Sequence, residues 1–110
     1  MTGPHEAAHL LHVLGHLYGC HGQARRGAVY LLIAAQLSPE DSGVLRTLAH
    51  LLILDGEADK ALATIARLET LEGMQHPTLH LLKSRALLVA GRKTEAREAF
   101  QRFLAKRQVQ

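Results

Sequence analysis

LHVLGHLYGCHGQARRGAVYLLIAAQLSP, residues Leu11 to Pro39, sets Leu14-Gly15-x-x-Tyr18 ahead of a glycine at Gly22, a small residue at Gly27, then Leu31, Ala34 and a closing Pro39. Each position has a physical task. Gly15 lets the backbone of a second helix approach, Tyr18 fills the space between the two, and Gly22 stands where the chain must reverse with a positive φ. Pro39 ends the second helix, because it has no N–H to offer and its ring clashes with the preceding turn. The stretch reads as a helical hairpin.

The same marks return. Gly22, Gly56 and Gly91 are 34 and then 35 residues apart, and Gly27, Ala61 and Ala96, like Leu31, Ile65 and Phe100, keep those intervals. Three columns with one period of that length are the mark of a tetratricopeptide repeat, a helix–turn–helix unit that buries its apolar face on its neighbours. The expected fold is all-α: three hairpins, at about 5–38, 42–72 and 77–107, stacked as a short right-handed solenoid in one domain spanning 1–110.

Within that frame the helices can be placed. Pro4, a favoured first-turn residue, opens helix one, which runs to about Cys20. At 100° per residue Leu10, Val13, Leu14 and Leu17 share an arc that is expected to be buried, while His5, His9, His12 and His16 fall within about 60° on another face. Helix two, about Gln23 to Leu37, carries Ala28, Val29, Leu31, Leu32, Ile33 and Ala35, and so much apolar surface predicts packing on more than one side. Asp41 or Ser42 caps helix three, with Leu45, Leu48, Ala49, Leu52 and Ile53 on its periodic face. After helix four comes Gly73-Met74-Gln75-His76-Pro77, one residue longer than the repeat count requires, where a change of stacking angle is expected. Helix five departs from the repeat pattern at Lys83 and Ser84, and the last helix restores it with Ala96 and Phe100.

Composition limits the function. The chain of 110 residues is 47% hydrophobic, enough for a core, but only 4% aromatic, so Leu and Ala must do the packing. A net charge of +3, scattered rather than clustered, gives no case for nucleic acid. The longest apolar run, Ala28 to Ala35, has eight residues against the roughly 20 of a membrane span, so no membrane insertion is expected. No charged start followed by an apolar segment and cleavage site marks an export signal. One cysteine, Cys20, cannot close an internal disulfide, which fits a reducing cytosol, and it reads as a small packing residue.

Stacked hairpins present their first helices along a concave wall. Counted from the glycine marks, the wall positions are His9, His12, His16 and Gly19, then Gly43, Arg46, His50 and Ile53, then Thr78, Leu81, Arg85 and Leu88. Basic and histidine-rich at one end and apolar at the other, such a wall suits an amphipathic peptide or helix. Arg46 and Arg85 either grip a carboxylate or stand solvated. Phe100, Phe103 and Leu104 close the chain with apolar surface that a partner is expected to cover. The candidate partner-binding residues are thus His9, His12, His16, Arg46, His50, Ile53, Leu81, Arg85, Leu88, Phe100, Phe103 and Leu104. No nucleophile, carboxylate pair or phosphate loop falls in a motif, so neither catalysis nor a cofactor is expected. The His5, His9, His12, His16 ladder has the spacing of Zn or Ni chelation and of a switch near pH 6, but no further ligand completes a tetrahedral site, and a polar wall is the plainer reading.

These residues resemble a family, the small tetratricopeptide chaperones of bacterial type III secretion, and among them the YscY type. The similarity lies in length, in the early turn from Tyr18 to Ala24, and in the last hairpin. There Leu82-Lys83-Ser84-Arg85-Ala86, Gly91, Ala96-Arg97 and Phe100-Gln101-Arg102-Phe103-Leu104 look like that family's L-S-R-A, G, K-A-R and Y-Q-x-Y-L; Lys83 departs from it. The resemblance implies a cytosolic bacterial chaperone without cofactor, forming a hetero-oligomer with a small secreted partner, the X-type protein, and engaging with it the cytosolic domain of the export gate. Two other readings stand beside it. One is a translocator chaperone of the same system, usually longer and with a further N-terminal helix; the other is a peptide-binding or metal- or pH-responsive adaptor that uses the histidines.

Overall fold

The computed structural model describes residues 3–73 and 76–109, and Met74 and Gln75 of the second linker lie outside the described residues. Six helices follow one another: α1 (Pro4–Cys20), α2 (Ala24–Leu37), α3 (Ser42–Leu54), α4 (Ala58–Glu72), α5 (Pro77–Val89) and α6 (Lys93–Val109). There is no strand among the described residues. The helices pair as α1 with α2, α3 with α4 and α5 with α6, and α2 packs on α3 as α4 packs on α5. The first helices also touch in sequence, α1 to α3 and α3 to α5, which makes them one continuous wall. At 46 × 27 × 20 Å the molecule has the elongation of stacked pairs.

The hairpin turns are copies of one another. Gly22, Gly56 and Gly91 have φ of 78°, 76° and 80°, a region that side chains with a Cβ avoid. In each turn the amide after the glycine reaches back to the carbonyl five residues earlier, Gln23 to Tyr18, Glu57 to Leu52 and Arg92 to Leu87, all at 2.9 Å. These bonds satisfy a carbonyl that the helix end leaves orphaned. The linker into α3 uses a side chain instead: Asp41 Oδ1 accepts from the Val44 amide at 3.2 Å, which decides the cap in favour of Asp41.

Close approach defines the first hairpin. A Cβ on Gly15 would stand 2.8 Å from the Gly27 carbonyl oxygen, and one on Gly27 would stand 2.5 Å from that of Gly15. Beside this crossing Tyr18 stacks on Tyr30, with ring centres 5.3 Å apart, and Arg26 lies over the Tyr18 ring. The repeat columns line the interior. Gly27, Ala61 and Ala96 are all buried, and so are Leu31 and Ile65. One core runs from Ala8 to Ala86 around Leu31, Leu45, Leu51, Ile65, Leu68 and Leu79, and a smaller cluster of Leu87, Ala96 and Ala99 joins it through Leu62.

Two expectations of burial are corrected. In α1, Leu10, Val13 and Leu17 are 60%, 43% and 49% exposed, because the helix turns Ala8, Leu11 and Gly15 toward its neighbours and no described element packs on the leucine arc. In α2, Val29, Leu32, Ile33 and Leu37 are likewise exposed: the helix packs on α1 and α3 through the narrow face of Gly27, Ala28, Leu31, Ala34 and Ala35. No helix among the described residues is long and apolar enough to cross a membrane.

Candidate functional site

On the wall of first helices lies a groove of about 310 Å³, lined by His16 of α1, Arg46, Thr47 and His50 of α3, and Thr78, Leu81, Leu82 and Arg85 of α5. All three hairpins contribute, and this is why the repeat period brings together residues as distant in sequence as His16 and Arg85. Their spacing follows from the helix: Arg46 to His50, and Leu81 to Arg85, are one turn apart and share a face.

The polar groups of the wall are tied together in a chain. His12 Nε2 and Thr47 Oγ1 share a hydrogen bond of 2.8 Å that joins α1 to α3. Arg85 Nη1 lies 3.1 Å from His50 Nδ1, joining α5 to α3. A guanidinium can only donate, so His50 Nδ1 accepts and its imidazole is neutral with the proton on Nε2. Consistent with that, burial holds His50 below its ordinary value near 6.5, and Arg85 and His16 push the same way. His12 is also lowered, by burial first, with Asp41 opposing and His16 and His9 reinforcing. Arg46 pairs with Glu72 through Nη2, while its Nε is buried with no hydrogen-bond partner among the described residues.

The remaining candidates fall elsewhere. His9 is exposed on the same face of α1, toward its start. Ile53, assigned to the wall by counting, is only 6% exposed and belongs to the core. Leu88 and Phe100 share a separate crevice of about 270 Å³ between α5 and α6, and Phe100 is 41% exposed where its column mates Leu31 and Ile65 are buried. Phe103 and Leu104 are half-buried, Phe103 tilted against Phe100 with centres 5.9 Å apart. The histidine ladder does not act as one stripe. His5 bonds Ser38 at 3.2 Å and His16 meets Cys20 Sγ at 3.6 Å, and no group of three or more His, Cys, Asp or Glu is placed to hold a metal ion among the described residues.

No protein-family model and no curated protein matches the sequence. Solved structures do match: the chain is similar to the type III secretion translocator chaperone SycD of Yersinia enterocolitica, in a crystal structure of its alternative dimer, with a TM-score of 0.80. The likeness spans 92% of this chain and 76% of that one at 16% identity. The two share a fold of stacked helical hairpins.

Counting four wall positions per repeat missed Thr47 and Leu82. Both were legible: Thr47 lies three residues before His50, and Leu82 one turn after Thr78, so each shares a face with residues already assigned. A larger concavity of about 770 Å³ lies away from the wall, where Arg67 donates to the Pro39 carbonyl at 3.1 Å. It is built from the end of α2, the first linker and α4, with only His5 from a first helix.

Proposed function

We propose that the chain is a type III secretion chaperone that holds a segment of a secreted protein against its wall of first helices, in the manner of a translocator chaperone. The observation that carries this is the groove to which α1, α3 and α5 all contribute, with an apolar floor at Leu81 and Leu82 and polar groups at His16, Arg46, His50 and Arg85. A trough that crosses several helices accepts an extended chain, whose alternate side chains can enter it. The fold shared with SycD, a translocator chaperone by its own description, supports the same reading.

A second reading, the YscY type with an X-type partner and the export gate's cytosolic domain, draws on a different observation. Leu10, Val13 and Leu17 on α1 and Phe100 on α6 are exposed apolar surface outside the groove. A partner that wraps the ends would cover them.

Co-expression with each candidate partner, followed by photo-crosslinking, tests both. A crosslinker at position 81 is expected to capture a translocator segment, and the chaperone is expected to raise that protein's soluble yield. Capture only from position 17 or 100, by an X-type protein, favours the second reading. No gain in solubility and no crosslink with any secreted protein would defeat both.

A further inference from the structure

Several cations of this molecule carry no ion pair among the described residues, and Arg85 is the one of them that lines the groove. Arg25, Arg46, Lys60, Lys83 and Arg92 each have a carboxylate partner. Arg85, half-buried in the groove, makes no ion pair among the described residues and gives its one described hydrogen bond to a neutral imidazole. Four of its five N–H groups are therefore left for other acceptors. His50 keeps an Nε2–H to donate, whereas Arg46 is already paired with Glu72 and its Nε, with no partner among the described residues, is buried away from solvent. Of the hydroxyls, Thr47 is engaged by His12 and Thr78 lies 3.2 Å from His76 Nδ1. No carboxylate lines the groove among the described residues, the Glu72 carboxylate that pairs with Arg46 lying outside its lining.

A half-buried surplus of donors and positive charge beside leucines is matched by an acceptor-only anion. We infer that the groove is an acidic-residue subsite: Arg85, with the His50 Nε2–H beside it, grips the side-chain carboxylate of the bound segment, while Leu81 and Leu82 take an apolar side chain next to it. The inference rests on the reading of this groove as a peptide site and adds what the peptide must carry. A carboxylate fits because it accepts two parallel N–H bonds from one guanidinium, and such charge-assisted bonds are roughly twice as strong as neutral ones. The occupant is a side chain rather than a chain end, because the groove crosses α1, α3 and α5 and a segment lying in it passes through.

Three short probes decide it: acetyl-Leu-Glu-Leu-amide, acetyl-Leu-Gln-Leu-amide and acetyl-Leu-Gln-Leu with a free carboxylate, each titrated into ¹⁵N-labelled protein and followed by NMR. The Glu peptide is expected to shift the signals of residues 46, 50, 81 and 85 and to bind about tenfold tighter than the Gln amide, the size of one charge-assisted contact. The advantage should shrink as NaCl is raised from about 50 to about 500 mM, since screening weakens a partly exposed pair. Arg85→Gln should remove the advantage, so that the Glu and Gln amides bind alike. Equal binding of the Glu and Gln amides in the groove overturns the acidic subsite and leaves the peptide groove standing. A free-carboxylate peptide as tight as the Glu peptide overturns the assignment to a side chain, and shifts confined to other surfaces overturn the site. Absence of any shift at saturating probe also overturns it, while the crosslink from position 81 judges the groove separately. The salt dependence needs no variant, so a failure of Arg85→Gln to fold leaves a decisive readout.

Discussion

Replacing Gly15 with alanine tests whether the first hairpin is held by contact between backbones. The new Cβ would lie 2.0 Å from Leu31 Cδ2 and 2.8 Å from the Gly27 carbonyl oxygen. The methyl is the end of a side chain, but Leu31 is fully buried and has little room to swing. The carbonyl belongs to α2 itself, so relief requires α1 and α2 to part along their shared length. Overpacking of a filled interior costs about 1–3 kcal/mol, and the backbone neighbour puts this site near the top of that range. Alanine returns about 1 kcal/mol through its better helix propensity. The net loss is about 2 kcal/mol, which for a domain of this size lowers the melting temperature by about 8–16 °C. Gly19→Ala is the graded comparison, because the three atoms nearest its Cβ would all belong to the Leu51 side chain, the nearest at 2.4 Å, and a leucine rotamer yields more readily than a carbonyl. Thermal unfolding followed by circular dichroism at 222 nm reads both. If Gly15→Ala melts within about 2 °C of the parent, or above Gly19→Ala, the helices are not locked by that crossing.

His12 and His50 both have folded values below 6.5, so the unfolded chain binds more protons than the folded one as pH falls past 6.5; their contribution is complete above that value and is lost toward the lowered folded values. The denaturation midpoint should therefore drop between about pH 7.5 and 5.5, with a shallower slope in His12→Gln; a flat or rising midpoint refutes it. Asp41→Ala removes the cap on the Val44 amide and should cost about 1 kcal/mol, whereas Asp41→Asn should restore most of it, both read from urea denaturation. Leu17→Gln, at a site 49% exposed, should lower the fluorescence of an apolar dye bound to the free chain and shift stability by no more than about 0.5 kcal/mol. An unchanged dye signal would mean that the α1 arc is not the surface the dye detects.

The hairpins could be read from the sequence because each depends on a local requirement. A positive φ at Gly22, Gly56 and Gly91, a small residue at Gly27, Ala61 and Ala96, and Pro4 and Pro77 at helix starts act within one turn of where they stand. Wall membership was legible for the same reason at His16, Arg46, His50, Leu81 and Arg85, since helical spacing fixes the face a residue shares. Ile53 failed because the wall position it occupies by counting lies at the last turn of α3, where the helix buries Leu51, Leu52 and Ile53 together. What the repeat could not convey was which hydrogen bond each polar residue would make. Nothing in the spacing of His5 and His12 announces Ser38 and Thr47, whose positions depend on how one hairpin sits on the next.

Burial of the α1 arc was misjudged, and exposure at Phe100 was anticipated, for one physical reason. Amphipathic periodicity states which side of a helix is apolar, and only the presence of a neighbour makes that side an interior. Leu31 and Ile65 are buried because α3 and α5 follow them; Phe100 sits in the same column with no described helix beyond, and it is 41% exposed. The Leu10, Val13 and Leu17 arc is the corresponding case on α1. Burying a side chain of this size is worth about 1.5–3 kcal/mol, so several half-exposed ones on one face leave binding energy that an associating surface could collect. The groove differs in kind. Its leucines adjoin Arg85, whose charge lacks a counter-ion among the described residues, so the proposed acidic subsite would make the wall select ligands by charge, whereas the flanks offer only apolar surface and shape.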